Sequence, residues 1–445
     1  MEKIKQKPIE KIKTVIIAVL IVTMLALACL YIGGAQFSGA GAAINAQDMP
    51  LGAVPAGEDA PKQTAVYEKN LLSFSFIGIR CGENGGGAYA TEQAARDLFE
   101  IALEPLHALL SSSSTVEKID SEQFESAAAG EKYICISLTS ALPYQIIYAL
   151  SGEYSAPFGS DRAISPSTLL ISFDEGGNAS LYMRTKDACY KSAGNCTFSL
   201  SELSAMASDA RLYDFELSDG VAYSETVPMA RTLTLSRSDT LANGALESIL
   251  SLLDFGTSGT QPMAMADIYT AVAPHGNLHI GDGKVVYTAA SEGGISLSSF
   301  LSAAKSDLDI SLYDVLLSSV SLVESLSRAV QNPLDIYIDG FYRSDDVYTI
   351  VFGASENTVP LSGDAFPYLA KVTAEGGKLK SAEFYMLSAD RSNYSVSPFS
   401  SAWEYRHASK SAKITTMGLR YHVDKLPANE LAAAWYCTGE RTVEK

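Results

Sequence analysis

TVIIAVLIVTMLALACLYI, residues 14–32, is an apolar run without a single charged side chain. An α-helix rises about 1.5 Å per residue, so a helix of this length matches the roughly 30 Å hydrocarbon core of a bilayer. The run therefore predicts one transmembrane helix at residues 14–33, with the ends of the anchor at Thr14 and Ile32. The rest of the chain is then expected to be tethered to a membrane.

The charges that flank this run predict its direction. Five lysines and two glutamates precede it, and no charged residue follows it before Asp48. Basic residues stay on the cytoplasmic side of a membrane span, so the tail at 1–13 is expected in the cytoplasm. The predicted location is the cell membrane, with one pass, a cytoplasmic N-terminus and an extracellular C-terminal body.

Two other interpretations of the same run remain open. A cleaved signal peptide could be cut after Ala26-Leu27-Ala28 or Ala40-Gly41-Ala42, although its apolar region is usually only 7–15 residues long. A lipid anchor on Cys29 is the other alternative, but the leucine at position 27 is atypical and the apolar run continues past the cysteine. Whether the segment is cleaved or lipidated is not decided by the sequence.

The charge of the exported part excludes one class of partner. Beyond residue 13 the chain carries 28 basic and 49 acidic side chains, a net charge near −21. Nucleic-acid binding requires a basic surface that neutralises phosphates, and anionic lipid headgroups demand the same. We therefore expect no nucleic-acid partner and a membrane contact made by the N-terminal segment alone.

The predicted fold class is α+β, with the transmembrane helix followed by two or three extracytoplasmic domains of antiparallel sheets and packed helices. Residues 34–66 are rich in Gly, Ala and Pro and poor in aromatic residues, which predicts a flexible linker. The expected folded domains are a first α+β domain at 67–225, a middle α+β domain at 226–330 and a C-terminal antiparallel-sheet domain at 331–442.

Local patterns support these elements. KYICISL at 132–138 predicts a strand and is followed by a short helix that starts after Pro143. The apolar residues from Leu312 to Val330 repeat with helical spacing and predict the clearest helix of the exported part. Four strands should follow it, with turns at Asp339-Gly340 and Gly376-Gly377.

Cysteine spacing suggests one disulfide. Cys189 and Cys196 bracket CYKSAGNC, in which Gly194-Asn195 could form a turn between two strands and bring the sulfurs together in an oxidising compartment. The alternative is that the cysteines beyond the apolar run are small buried residues, which suits Cys135 within its apolar strand.

A search for catalytic and metal motifs returns little. Ser302-Ala303-Ala304-Lys305 lacks the partner motifs of acyl-transfer enzymes. His275 and His279 are four residues apart, but the Gly-Asn pair between them favours a turn over a helical zinc site. The sequence therefore predicts no catalytic, cofactor-binding or metal residues, and a protein that is not an enzyme.

The order of the elements resembles the YycH/YycI regulatory proteins that accompany the WalK (YycG) sensor histidine kinase in Gram-positive bacteria. The resemblance lies in the N-terminal anchor, in KYICISLTSALPYQIIYALSG, in NLHIGDGKVVY and in LDIYIDGFYRSDDVYTIVF with the strands that follow. Gly340-Phe341-Tyr342-Arg343 departs from the family, which commonly has a Gly-x-Pro-Val-like turn there.

The resemblance implies regulation of a two-component system by protein contact, without catalytic residues to carry over. The expected partners are a sensor histidine kinase and possibly a sister single-pass regulator. Helix pairing in membranes favours small residues, so Ala18, Ala26, Ala28 and Gly33 are candidate pairing positions. The alternative function is a cell-envelope ligand-binding protein or wall-acting enzyme with an interdomain site, which a deep cleft lined by polar groups would favour.

Overall fold

The computed structural model describes residues 71–441 except for short segments. The segments outside the described residues are 113–114, 151–163, 219, 239–240, 242–243, 257–262, 266–267, 302–304, 397–400, 403 and 406–411. The predicted tail at 1–13, the transmembrane helix at 14–33 with Ala18, Ala26, Ala28 and Gly33, and the linker at 34–66 also lie outside them. Within the described part, no helix is both long and apolar enough to cross a membrane.

Strands dominate the described part of the chain. In chain order they are β1 (Phe74–Cys81), β2 (Asn84–Tyr89), β3 (Val116–Ile119), β4 (Lys132–Leu138), β5 (Thr168–Phe173), β6 (Asn178–Arg184), β7 (Cys189–Ser192), β8 (Cys196–Thr197), β9 (Phe215–Ser218), β10 (Val221–Ser224), β11 (Ala230–Arg237), β12 (Met263–Met265) and β13 (Ile268–Ala273). They continue with β14 (Gly276–Gly281), β15 (Lys284–Ala289), β16 (Ile295–Ser296), β17 (Asp335–Ser344), β18 (Val347–Glu356), β19 (Val359–Ser362), β20 (Ala370–Glu375), β21 (Lys378–Tyr385), β22 (Leu387–Val396), β23 (Ala412–His422), β24 (Ala428–Leu431) and β25 (Ala433–Arg441).

The helices are fewer. They are α1 (Gln93–Ser112), α2 (Ser121–Ala128), α3 (Tyr144–Leu150), α4 (Leu200–Ala207), α5 (Ala245–Leu252) and α6 (Leu312–Ala329), with short 3₁₀ helices at Leu297–Phe300 and Asp307–Asp309. Of the described residues, 46% lie in strands and 24% in helices. The predicted α+β class is therefore wrong, since the described body is mostly β-sheet.

The N-terminal sheet has eight strands in the order β2-β1-β4-β5-β6-β7-β3, with β8 paired to β6. Its two faces are both covered. Ile134 and Ile136 of β4 join the main core with α1, whereas Tyr133 and Cys135 pack with Phe124 of α2 on the other side. Because both faces are buried, β4 has the nearly continuous apolar sequence from which the strand was predicted.

The large sheet has twelve strands in the order β12-β13-β14-β15-β21-β20-β18-β19-β23-β25, with β16 on β21 and β17 on β18. Every pairing in it is antiparallel except that of β19 with β23. A smaller sheet has the order β22-β11-β24, and β9 and β10 form a hairpin of their own. Along β20 buried residues alternate with more exposed ones, as expected for a sheet that packs on one side only.

Helix α6 confirms the strongest helical prediction. It begins after Ser311, whose side chain accepts from the Asp314 amide in a capping box, and Val330 is its C-cap. The Lys305 ammonium lies 2.6 Å from an Asp314 carboxylate oxygen and forms an ion pair at the N-terminus of the helix. The buried residues of the helix, among them Leu316 and Leu326, pack in the same core as Ile350 and Val372 of the large sheet.

One predicted turn is wrong. Asp339-Gly340 does not end a strand, because β17 runs on to Ser344 and the register shifts between Ile338 and Gly340. The glycine therefore marks a β-bulge, in which one extra residue is accommodated within the pairing. The actual turn follows at Asp345, which has a φ of 52°.

The described residues belong to one compact unit that spans 63–445. The expected boundary between 330 and 331 divides the large sheet, because β15 pairs with β21. In the same way β11 pairs with β22 and β24 of the expected C-terminal domain. The middle and C-terminal parts of the chain therefore share their sheets.

Candidate functional site

Cys189 and Cys196 do not form the predicted disulfide. Strands β7 and β8 both pair with β6, so they run in one line and do not form a hairpin. Cys189 is opposite Arg184 and Cys196 is opposite Ala179, which places their Cα atoms roughly 16 Å apart along the sheet. A disulfide requires Cα atoms within about 7 Å, so this pair is too far apart to bond.

The two histidines have structural surroundings. The Nε2 atom of His275 lies 3.1 Å from the Leu253 carbonyl oxygen, and its ring is 4.8 Å from that of Phe255. His279 lies in β14, opposite Thr270 and Val286. Among the described residues, no group of His, Cys, Asp and Glu side chains has a geometry suited to a metal ion.

The last two long strands of the described chain pair with each other. We call β23 and β25 the terminal ribbon. On one face Met417, Trp435 and Cys437 pack towards Phe76 and Tyr89 of the N-terminal sheet. Among the described strands β25 pairs with β23 alone, so its other edge carries backbone N–H and C=O groups that a further strand could meet.

The opposite face of the terminal ribbon carries a cation beside an exposed ring. The Arg420 guanidinium lies 4.4 Å from the centre of the Tyr436 ring, and Tyr436 is 41% exposed. Arg420 Nη2 also donates to the Thr139 carbonyl oxygen at 3.2 Å. These two contacts fix the orientation of the guanidinium between the ribbon and the N-terminal sheet.

Arg420 lines a cleft of 870 Å³ where the terminal ribbon meets the N-terminal sheet. Its wall is rich in hydroxyl groups, contributed by Thr139, Ser140, Ser165, Ser167, Thr185 and Thr416. Lys186 and Asp187 add one charge of each sign, and Ile164, Tyr190 and Cys437 add less polar surface. The volume lies within the range of about 300–1,000 Å³ that is typical of small-molecule sites.

A polar network supports the floor of this cleft. The Ser140 hydroxyl donates to an Asp339 carboxylate oxygen, which joins the N-terminal sheet to β17. Next to it lies Tyr337, which is almost fully buried. Burial raises the pKa of the Tyr337 hydroxyl well above its usual value, the Asp339 charge raises it further, and the Arg420 charge opposes both. Tyr337 therefore stays neutral here.

Comparisons with known proteins give no family for this chain. No protein-family model matches it, and no curated protein matches it. Among solved structures it is similar to an uncharacterized protein from Eubacterium rectale ATCC 33656, with 10% sequence identity and a TM-score of 0.32. The match covers 50% of this chain and 84% of the other, and a TM-score this low does not establish a common fold.

Sequence reasoning missed the cleft because its residues come from distant parts of the chain. Thr139 follows β4, Thr185 and Lys186 lie between β6 and β7, and Arg420 is in β23. No spacing or periodicity links these positions. The only local signal was the pairing of an arginine with aromatic residues in the closing strands, which by itself indicates packing as readily as a site.

Proposed function

We propose that this protein is an extracytoplasmic regulator that acts by contact on a sensor histidine kinase in the cell membrane, as its resemblance to the YycH/YycI proteins implies. The apolar segment 14–32 holds it at the membrane in one pass, with the N-terminus in the cytoplasm. It works through protein contacts and not through turnover, and a sister single-pass regulator is a further candidate partner.

The observation that supports this proposal most is the outer edge of the terminal ribbon. An edge strand offers a row of backbone donors and acceptors that can pair with a strand of another protein. Tyr436 lies on that strand with a large exposed surface, and Tyr is among the residues that dominate binding energy at interfaces. The negative net charge of the chain is compatible with a protein partner and unfavourable for nucleic acid.

Site-specific photo-crosslinking in cells tests the proposal. A photoreactive amino acid replaces Tyr436 in one variant, and in the matched control it replaces Leu308, which is 95% exposed but lies outside the terminal ribbon. We expect a crosslink to a histidine kinase from position 436 and not from position 308. Removal of residues 1–33 should also uncouple the kinase from the protein. Crosslinks from position 436 to no kinase and no single-pass protein would contradict the proposal.

The hydroxyl-lined cleft favours a second candidate function, a cell-envelope protein that binds a small polar ligand. Convergent polar groups in a concave site are the feature that distinguishes ligand binding from simple domain packing. Titration of the full-length chain with polar small molecules tests this second function. Arg420 is the first residue to substitute in that experiment.

A further inference from the structure

We propose that the cleft beside Arg420 binds a sugar or polyol that carries a single oxyanion group, either a phosphate or a carboxylate. The inference rests on the second candidate function and names the chemical class of its ligand. The groups that line the cleft divide into two kinds, cations that suit the oxyanion and hydroxyl acceptors that suit the ligand's own hydroxyl groups.

Arg420 is the cation at the centre of the site. A guanidinium has five N–H donors, and within the described part of the chain its hydrogen bond is the single one to the Thr139 carbonyl oxygen. Arg420 takes part in none of the ion pairs between described residues, and Tyr436 covers one face of its plane. The remaining N–H groups can therefore bind an oxyanion in the two-bond geometry that guanidinium groups favour.

Lys186 supplies a second positive charge at the rim. Its side chain is exposed in the connection between β6 and β7, and it lines the same cleft. Lys186, Asp187 and Arg420 are the charged residues that line the cleft, so the lining has a net charge of about +1, and the Asp339 carboxylate lies outside the lining, bonded to the Ser140 hydroxyl. This balance suits one compact anionic group and disfavours a polyanion, which the net charge of −18 would also repel.

The hydroxyl groups explain why the ligand should itself carry hydroxyls. The Ser167 hydroxyl donates to the Arg184 carbonyl oxygen at 3.3 Å, whereas the Thr185 hydroxyl donates to the Ala188 carbonyl oxygen and already accepts from the Asp187 and Ala188 amides. The Ser140 hydroxyl likewise donates to Asp339. Since the protons of Ser167 and Ser140 are used within the protein, the oxygens of these two hydroxyls offer lone pairs, which accept hydrogen bonds from the hydroxyl groups of a sugar or polyol.

Calorimetric titration of the full-length chain in detergent micelles at low salt tests this inference. The probes are two matched pairs, glycerol 3-phosphate with glycerol and glucuronate with glucose. We expect binding of at least one anion and weaker or no binding of its neutral partner. Binding of glycerol 3-phosphate alone would indicate a phosphate ligand, and binding of glucuronate alone would indicate a carboxylate ligand.

Two variants and two matched controls locate the site. Arg420→Gln should weaken anion binding by about tenfold or more, because a charge-assisted hydrogen bond is lost. Lys186→Gln removes an exposed charge that no fold contact requires and should weaken binding by roughly threefold. The controls are Arg343→Gln, whose guanidinium stacks on Tyr348 at 5.5 Å, and Lys191→Gln, whose ammonium lies 5.2 Å from the Tyr182 ring and lines a separate groove. Both controls should leave the affinity unchanged.

The possible failures can be told apart. Binding of glucose or glycerol as tight as that of the anions, with no effect of Arg420→Gln or Lys186→Gln, would overturn the anion inference and leave a ligand-binding function standing. The absence of binding by all four probes would overturn both. Anion binding that Arg343→Gln or Lys191→Gln abolishes, while Lys186→Gln retains it, would place the site elsewhere and overturn the inference.

Discussion

The two principal sheets differ in how many of their faces are covered. In β5 of the N-terminal sheet, Leu169 and Ile171 join the main core, and Leu170 packs on the opposite side with Phe124 and Tyr133. In the large sheet, β20 buries Ala370, Val372 and Ala374 but exposes Lys371 and Glu375. The N-terminal sheet therefore acts as an interior layer, whereas the large sheet keeps an open surface. The cleft lies beside the N-terminal sheet, where the terminal ribbon of the large sheet reaches it.

The largest expected difference concerns a residue on the second face of each sheet. Leu170 is fully buried, so Leu170→Ala should lower the free energy of unfolding by about 3 kcal/mol through lost burial and a residual cavity. The control change on the open face, Lys371→Ala in β20, alters an exposed side chain and should change the free energy of unfolding by less than about 0.5 kcal/mol. Urea denaturation followed by circular dichroism measures both. Equal losses would show that the open face is covered in solution.

The next difference concerns the starts of the two long helices. At α6 the Asp314 carboxylate is nearly buried and accepts from Lys305 at 2.6 Å and from the Ser311 amide at 2.9 Å. Asp314→Asn should therefore cost about 2 kcal/mol, because an NH2 group replaces one carboxylate oxygen and faces a donor, either the Lys305 ammonium or the Ser311 amide. In α1 the Asp97 carboxylate is exposed and pairs with Arg211 at 3.0 Å. Asp97→Asn should give no measurable change in the urea midpoint.

The same substitution predicts a pH dependence. Burial alone would raise the pKa of Asp314, but the Lys305 ammonium and the Ser311 donors outweigh it and lower the pKa below its ordinary value. A carboxyl whose pKa is lower in the folded state stabilises the fold above about pH 4, the value of the unfolded chain, and less as the pH falls. The gap in stability between the native chain and Asp314→Asn should therefore narrow below pH 4. A constant gap down to pH 3 would contradict this assignment.

The smallest expected difference is in the reactivity of two cysteine thiols, and measuring it requires no change in the stability of the fold. Cys135 lies on the second covered face of the N-terminal sheet, and burial raises its pKa to about 12. It should react with iodoacetamide at pH 8 only after urea unfolds the chain, because the thiolate is the reactive form. Cys437 is half-buried on the terminal ribbon and should react in the folded protein. Peptide mass spectrometry gives both rates, and equal rates would mean that the two-faced burial of β4 is not maintained.

The features predictable from the sequence were those that short-range chemistry determines. The apolar run at 132–138 predicted strand β4, and the helical spacing of apolar residues from Leu312 to Val330 predicted helix α6. The fold class was not predictable in this way. β22 contains Asp390 and Arg391 and has the composition of a loop, yet its backbone pairs with β11. Backbone pairing between distant strands leaves little trace in side-chain patterns, and this sheet content made the α+β prediction wrong.

The bulge in β17 and the cleft are two further features that local sequence patterns could not predict. A turn and a bulge both favour glycine, so Gly340 could not distinguish them before the register with β18 was known. The cleft depends on the contact of Arg420 in β23 with Thr139, which follows β4, and no sequence pattern links these two distant positions. Proximity of this kind arises only from the complete topology.

The position of β11 also has a consequence for how the chain is made. This strand lies between β22 and β24, so residues 230–237 have neither neighbour until residues 387–431 have been synthesised. At 5–20 residues per second the nearer of these strands follows roughly 8 to 30 seconds later. During that interval both edges of β11 remain unpaired. The emerging polypeptide is therefore exposed to chaperones and proteases before the sheet of β22, β11 and β24 can form.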